Sequence, residues 1–94
     1  MESGRTKTVL VHYLVRNQRI EITIDINKKV KDLKAKIEEF FKIKLINKLM
    51  IKHKKCRTQT NLHDEDQTIE DARVHNGDII TIAKTDVLGG KFKK

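Results

Sequence analysis

The sequence predicts an α+β domain in which one helix packs on a sheet. Three observations carry this. Residues 20–26, Ile20-Glu21-Ile22-Thr23-Ile24-Asp25-Ile26, alternate apolar and polar without a fault, the period of a half-buried strand. The period then switches: Val30, Leu33, Ile37 and Phe40 or Phe41 recur at spacings of three and four, one stripe of a helix. Two further strand-like runs follow, Leu49-Met50-Ile51 within 48–52 and the β-branched 79–83. A hairpin, a helix and then more strands is an α+β order.

Residues 8–15 (TVLVHYLV) form the first strand, and the polar break 16–19 turns it into the second. On that second strand Ile20, Ile22, Ile24 and Ile26 share the buried face. Asn27 is a candidate N-cap for the helix. Asp32 and Lys36 make an i,i+4 pair of favourable order, worth a few tenths of a kcal/mol. Residues 48–52 are the third strand, and a long polar stretch occupies 53–66. Residues 67–76 carry Ile69, Ala72 and Val74 in a turn-like segment, and Asn76-Gly77-Asp78 is a turn signal before the last strand. The expected organisation is a loose segment at 1–7, one domain at 8–84, and a polar tail at 85–94.

Composition narrows the function classes. With 94 residues the chain buries roughly 60% of its unfolded surface, enough for one core but not for a deep two-lobed cleft. No apolar run approaches the ~18 residues of a membrane span, and no secretion signal is visible at the start. A single cysteine, Cys56, points to a cytosolic or nuclear setting. Twenty-one Lys and Arg against thirteen Asp and Glu leave a charge of +8. Residues 28–57 hold twelve of the cations and only Asp32, Glu38 and Glu39, a local +9. Such a field suits acidic partners, RNA or an anionic surface, and equally a solvated lysine-rich face.

Two stretches carry a family resemblance. They are Val30-Lys31-Asp32-Leu33-Lys34-Ala35-Lys36-Ile37 and residues 67–80, Gln67-Thr68-Ile69-Glu70-Asp71-Ala72-Arg73-Val74-His75-Asn76-Gly77-Asp78-Ile79-Ile80. In this order and at this separation they resemble ubiquitin and its ubiquitin-like relatives, over about residues 8–90. The resemblance implies a β-grasp: a mixed sheet of about four to five strands packed on one main helix. Departures are Lys29 where the family usually has a capping Thr, no proline after the helix, and an individual loop at 57–65. Thr85-Asp86-Val87-Leu88 also stands before the glycine pair where ubiquitin is basic.

The resemblance also implies sites. Gly89-Gly90 matches the paired glycines through which a modifier is matured and joined to target lysines, Lys91-Phe92-Lys93-Lys94 being cut away first. Without Cβ atoms, glycines thread narrow enzyme channels. Alternation turns Met50 outward between Leu49 and Ile51. It matches the central residue of ubiquitin's binding patch, with Leu14 and Ala83 as neighbours and Lys52, Lys54 and Lys84 as a basic rim. Lys54 matches a chain-linkage lysine, and Cys56 a core leucine, which implies a buried, inert thiol.

Three functions follow. The first is a modifier, whose partners are activating and conjugating enzymes and a processing protease. The second is a non-covalent interaction domain using the Met50 face, whose partners are domains of the ubiquitin-binding type. The third is an RNA-binding domain like those of spliceosomal ubiquitin-like proteins, suggested by the basic residues after Gly90. No catalytic constellation is apparent. His53-x-x-Cys56 with His63 fits no standard zinc spacing and lacks a fourth ligand, so no metal or cofactor is expected.

Overall fold

A computed structural model describes residues 5–87. Its strands are β1 (Thr6–Tyr13), β2 (Gln18–Asp25), β3 (Met50–Lys52), β4 (Gln59–Asn61) and β5 (Ile79–Ile82), and its helix is α1 (Val30–Phe41). They form one five-stranded sheet in the order β2-β1-β5-β3-β4. The β1–β5 pair is parallel, and the β1–β2, β3–β4 and β3–β5 pairs are antiparallel. This is the mixed sheet with one helix that the sequence predicts.

The hairpin turns through a single 3₁₀ turn, Leu14–Arg16, closed by Asn17 in the left-handed region at φ 51°. Asparagine tolerates that conformation better than most residues. The register then sets Tyr13 opposite Gln18 and Thr6 opposite Asp25. Pairing at this far end carries β1 back to Thr6, two residues before the predicted start at 8.

The helix begins at Lys29, not at Asn27. The Lys29 N–H donates to the Asp32 carboxylate at 3.0 Å. The next two amides donate to carbonyls of the 65–67 loop: Val30 to Gln67 at 2.9 Å and Lys31 to Glu65 at 3.0 Å. A distant loop thus satisfies first-turn amides that a side-chain cap serves in other helices. At the other end Lys42 adopts φ 58°, and the Glu38 carboxylate accepts the Leu45 N–H at 2.8 Å.

Val30, Leu33, Ile37 and Phe41 are the buried helix stripe. They pack with Val9, Val11 and Tyr13 of β1, Ile22 and Ile24 of β2, Ile51, Ile80 and Ile82. Each such fully buried aliphatic side chain contributes about 1.5–3 kcal/mol. Phe40 is 60% exposed, so the predicted stripe resolves onto Phe41. Ile20, predicted with the buried isoleucines, is only partly covered.

The polar stretch 53–66 contains a strand that periodicity did not show. β4 pairs with β3 (Met50↔Asn61, Ile51↔Thr60, Lys52↔Gln59), and all of its residues are exposed. Its backbone bonds, not its side chains, make it a strand. Cys56 lies in the connecting turn, where the Arg57 N–H donates to His53 at 2.7 Å, and it is exposed. The expectation of a core thiol is therefore corrected: Leu62, at 1% exposure, holds the core position at that end of the chain.

The domain also reaches past 84. A 3₁₀ turn at Lys84–Asp86 is closed by the Asp86 carboxylate on the Ala83 N–H at 2.8 Å. The Ile46 N–H donates to the Asp86 carbonyl at 2.9 Å, and Val87 bridges Leu45. Thr85, Asp86 and Val87, predicted as tail, are thus tied to the 45–47 loop. Among the described residues no helix is long and apolar enough to cross a membrane.

Candidate functional site

One face of the sheet covers the helix; the other faces outward. Period two sends Val9, Val11 and Tyr13 into the core, so Leu10 and His12 point outward. The ladders align the outward residues in rows. One row runs Glu21, Leu10, Ile79, Lys52, Gln59 across all five strands. The next contains Arg19, His12 and Thr81 on one side and Met50 with Asn61 on the other. Since Ile51 pairs with Ile80 antiparallel, Met50 falls opposite Thr81. Tyr13 pairs with Ile82 in parallel, so Leu14 and Ala83 follow side by side one step further on.

Met50 thus faces outward, and Leu14 and Ala83 stand just past the paired ends of β1 and β5. Leu14 is 48% exposed and Met50 43%, while Ala83 is half-buried. Val15, 50% exposed, lies next to Leu14. Half-buried Leu10 and Ile79 extend the apolar surface along the strands. Sequence reasoning left these three out. Alternation outward from the buried Tyr13 held the signal for Leu10, but the 3₁₀ turn hid Val15.

The basic rim is spread along this face. Lys52 stands in the row of Ile79. Lys54 sits at the Gly77 end, where a Cβ on Gly77 (φ +88°) would come within 3.2 Å of its Cδ. Lys84 stands at the Ala83 end. No carboxylate of the described residues pairs with Lys52, Lys54 or Lys84. By contrast, Lys31 pairs with Asp66, and Lys34 and Lys48 pair with Glu65 on the helix side. Hydrogen bonding and charge from Lys34, with Lys48 adding, hold the Glu65 carboxyl below its ordinary 4.5 despite partial burial. A groove of about 370 Å³ adjoins Met50, lined by Leu45, Asn47, Lys48, Asn61 and His63 among others.

A second cluster lies under the Lys54 end. Asp78 is buried at 2% exposure. Its carboxylate accepts from the His53 ring at 2.9 Å, the His75 N–H at 2.9 Å and the Lys54 N–H at 3.2 Å. Its carbonyl accepts the Leu10 N–H at 2.9 Å. One aspartate thus joins the β3–β4 turn, the turn before β5, and β1. The fold groups His53 with His75 and Asp78, not with Cys56 and His63. Gly89 and Gly90 lie outside the described residues.

No protein-family model and no curated protein sequence matches the chain. Solved structures do. A ubiquitin-like domain from tubulin-binding cofactor B superposes with a TM-score of 0.73 at 18% identity, covering 95% of this chain and 98% of that one. The C-terminal ubiquitin-like domain of mouse tubulin-specific chaperone e gives 0.68 at 18% identity, covering 88% and 90%. Trypanosoma brucei tubulin-binding cofactor B gives 0.63 at 10% identity, covering 83% and 93%. In strand order, helix placement and these similarities, the chain has the ubiquitin-like β-grasp fold.

Proposed function

We propose that this chain is a protein-interaction module that captures its partner non-covalently through the outward sheet face centred on Met50. What supports this reading is the register, in which Met50 falls opposite Thr81 on the outward face, while exposed Leu14 and half-buried Ala83 directly follow the paired Tyr13 and Ile82. Apolar side chains gathered on one solvent face, within a polar rim, favour a docking surface. Lys52, Lys54 and Lys84 supply the rim and favour partners carrying acidic side chains. All three similar structures come from tubulin-binding cofactor B or tubulin-specific chaperone e, which makes tubulin the first partner to try. The test is Met50→Glu. Partner capture should fall at least tenfold, about 1.4 kcal/mol, while the melting temperature stays within a degree or two. Full capture by the variant would overturn the reading.

A modifier function is the second reading, and the position of the glycines favours it. Val87 is bridged to Leu45, and Gly89-Gly90 follow it by two and three residues. Maturation would remove residues 91–94, join the Gly90 carboxylate to target lysines, and make Lys54 a chain-linkage candidate. Mass spectrometry of the native protein tests it: a form ending at Gly90 with isopeptide adducts supports it, and an intact tail without adducts removes it.

A further inference from the structure

We propose that His53, His75 and Asp78 form a binding site for a divalent transition-metal ion, with zinc the commoner occupant. Their donor atoms, one from each residue, all lie within 4.8 Å of one another. The Asp78 oxygen Oδ2 is 2.9 Å from His53 Nδ1 and 3.8 Å from His75 Nδ1. A tetrahedral zinc bound at ~2.0–2.2 Å needs donors roughly 3.3–3.5 Å apart. The two separations bracket that value, and the His53 and His75 donors lie within 4.8 Å of each other, so an inward swing of the exposed His75 ring closes the site.

The surrounding bonds orient the ligands. His53 Nε2 lies 3.1 Å from the Thr60 hydroxyl, which holds the ring with Nδ1 toward Asp78. Ligating histidines characteristically have the second nitrogen held in this way. The other Asp78 oxygen, Oδ1, accepts the Lys54 N–H, and Oδ2 also takes the His75 N–H, leaving it a lone pair for the ion. The aspartate is built into the fold at 2% exposure, while the His75 side chain is 65% exposed. A fourth coordination position therefore opens to water on the His75 side. Two imidazoles and a carboxylate suit zinc, copper or nickel better than calcium or magnesium. To ligate, His53 takes the neutral tautomer with its proton on Nε2, donated to the Thr60 hydroxyl, which frees the Nδ1 lone pair for the ion in place of its hydrogen bond to Asp78 Oδ2.

The experiment titrates zinc chloride into the full chain carrying Cys56→Ser, which removes the exposed thiol as a competing ligand. Heat of binding and the histidine side-chain NMR signals are read together. The expected result is one-to-one uptake that moves the His53 and His75 ring signals and no others. His75→Ala and His75→Gln should each weaken uptake at least about tenfold. Both should keep the parent's melting temperature in chelator, because His75 meets Asp78 mainly through its backbone. No uptake from stoichiometric zinc overturns the proposal. So does uptake unchanged by both His75 substitutions, or uptake that requires Cys56.

Discussion

Lys34 and Glu65 are 31 residues apart in sequence and meet at 3.0 Å, the ammonium donating to Oε2. Both side chains are largely shielded, 17% and 25% exposed. The contact fastens the loop whose carbonyls finish the helix N-terminus. The Glu65 carboxyl is held below 4.5, chiefly by that hydrogen bond. A depressed folded pKa means stability present above the unfolded value and lost as pH falls through the folded one. Wild type should therefore melt above Glu65→Gln at neutral pH, and the two should converge as pH falls below the ordinary carboxylate range. Thermal melts across that range check it; a gap that persists at acid pH would remove the ion pair as its cause.

Asp78 should be the costliest polar residue to lose. Asp78→Ala leaves the His53 ring and the Lys54 and His75 amides short of their acceptor at a buried point. A destabilisation of about 2–4 kcal/mol follows in urea unfolding. His75→Ala should cost under about 0.5 kcal/mol, since its side chain is mostly solvated.

Met50 and Ile51 are adjacent and should behave oppositely. Ile51 is fully buried, and Ile51→Ala should cost about 2–5 kcal/mol. Met50→Ala should stay within about 0.5 kcal/mol. Equal losses in denaturant melts would contradict the strand's facing.

The same contrast holds at the helix end. Phe41 is buried with its ring 4.8 Å from that of Tyr13, while Phe40 is 60% exposed. Phe41→Ala should cost about 3–5 kcal/mol and Phe40→Ala far less.

Cys56 should react with a thiol reagent in the folded protein, one equivalent per chain, at a rate near that of the unfolded chain. Protection until denaturation would place it in the core instead.

Much of the fold was legible in the residue pattern because burial imposes a period. Ile22 and Ile24 at spacing two, and Val30, Leu33 and Ile37 at three and four, announce a strand and a helix before any contact is known. β4 was not legible, because Gln59, Thr60 and Asn61 bury nothing and are held only by backbone bonds to β3. The exposure of Cys56 was missed for a related reason: family position suggested a core site, and the hairpin turn moved that role to Leu62.

The outward orientation of Met50 is a property of one strand and follows from alternation alone. Its placement relative to Leu14 and Ala83 is a property of three segments, and only the parallel β1–β5 and antiparallel β3–β5 registers decide it. The meeting of His53 with Asp78 and of Lys34 with Glu65 is likewise tertiary. Local sequence determines which side of an element turns from water, since that depends on residues a few positions apart. Which elements then lie side by side depends on chain closure over tens of residues, and no local period encodes it.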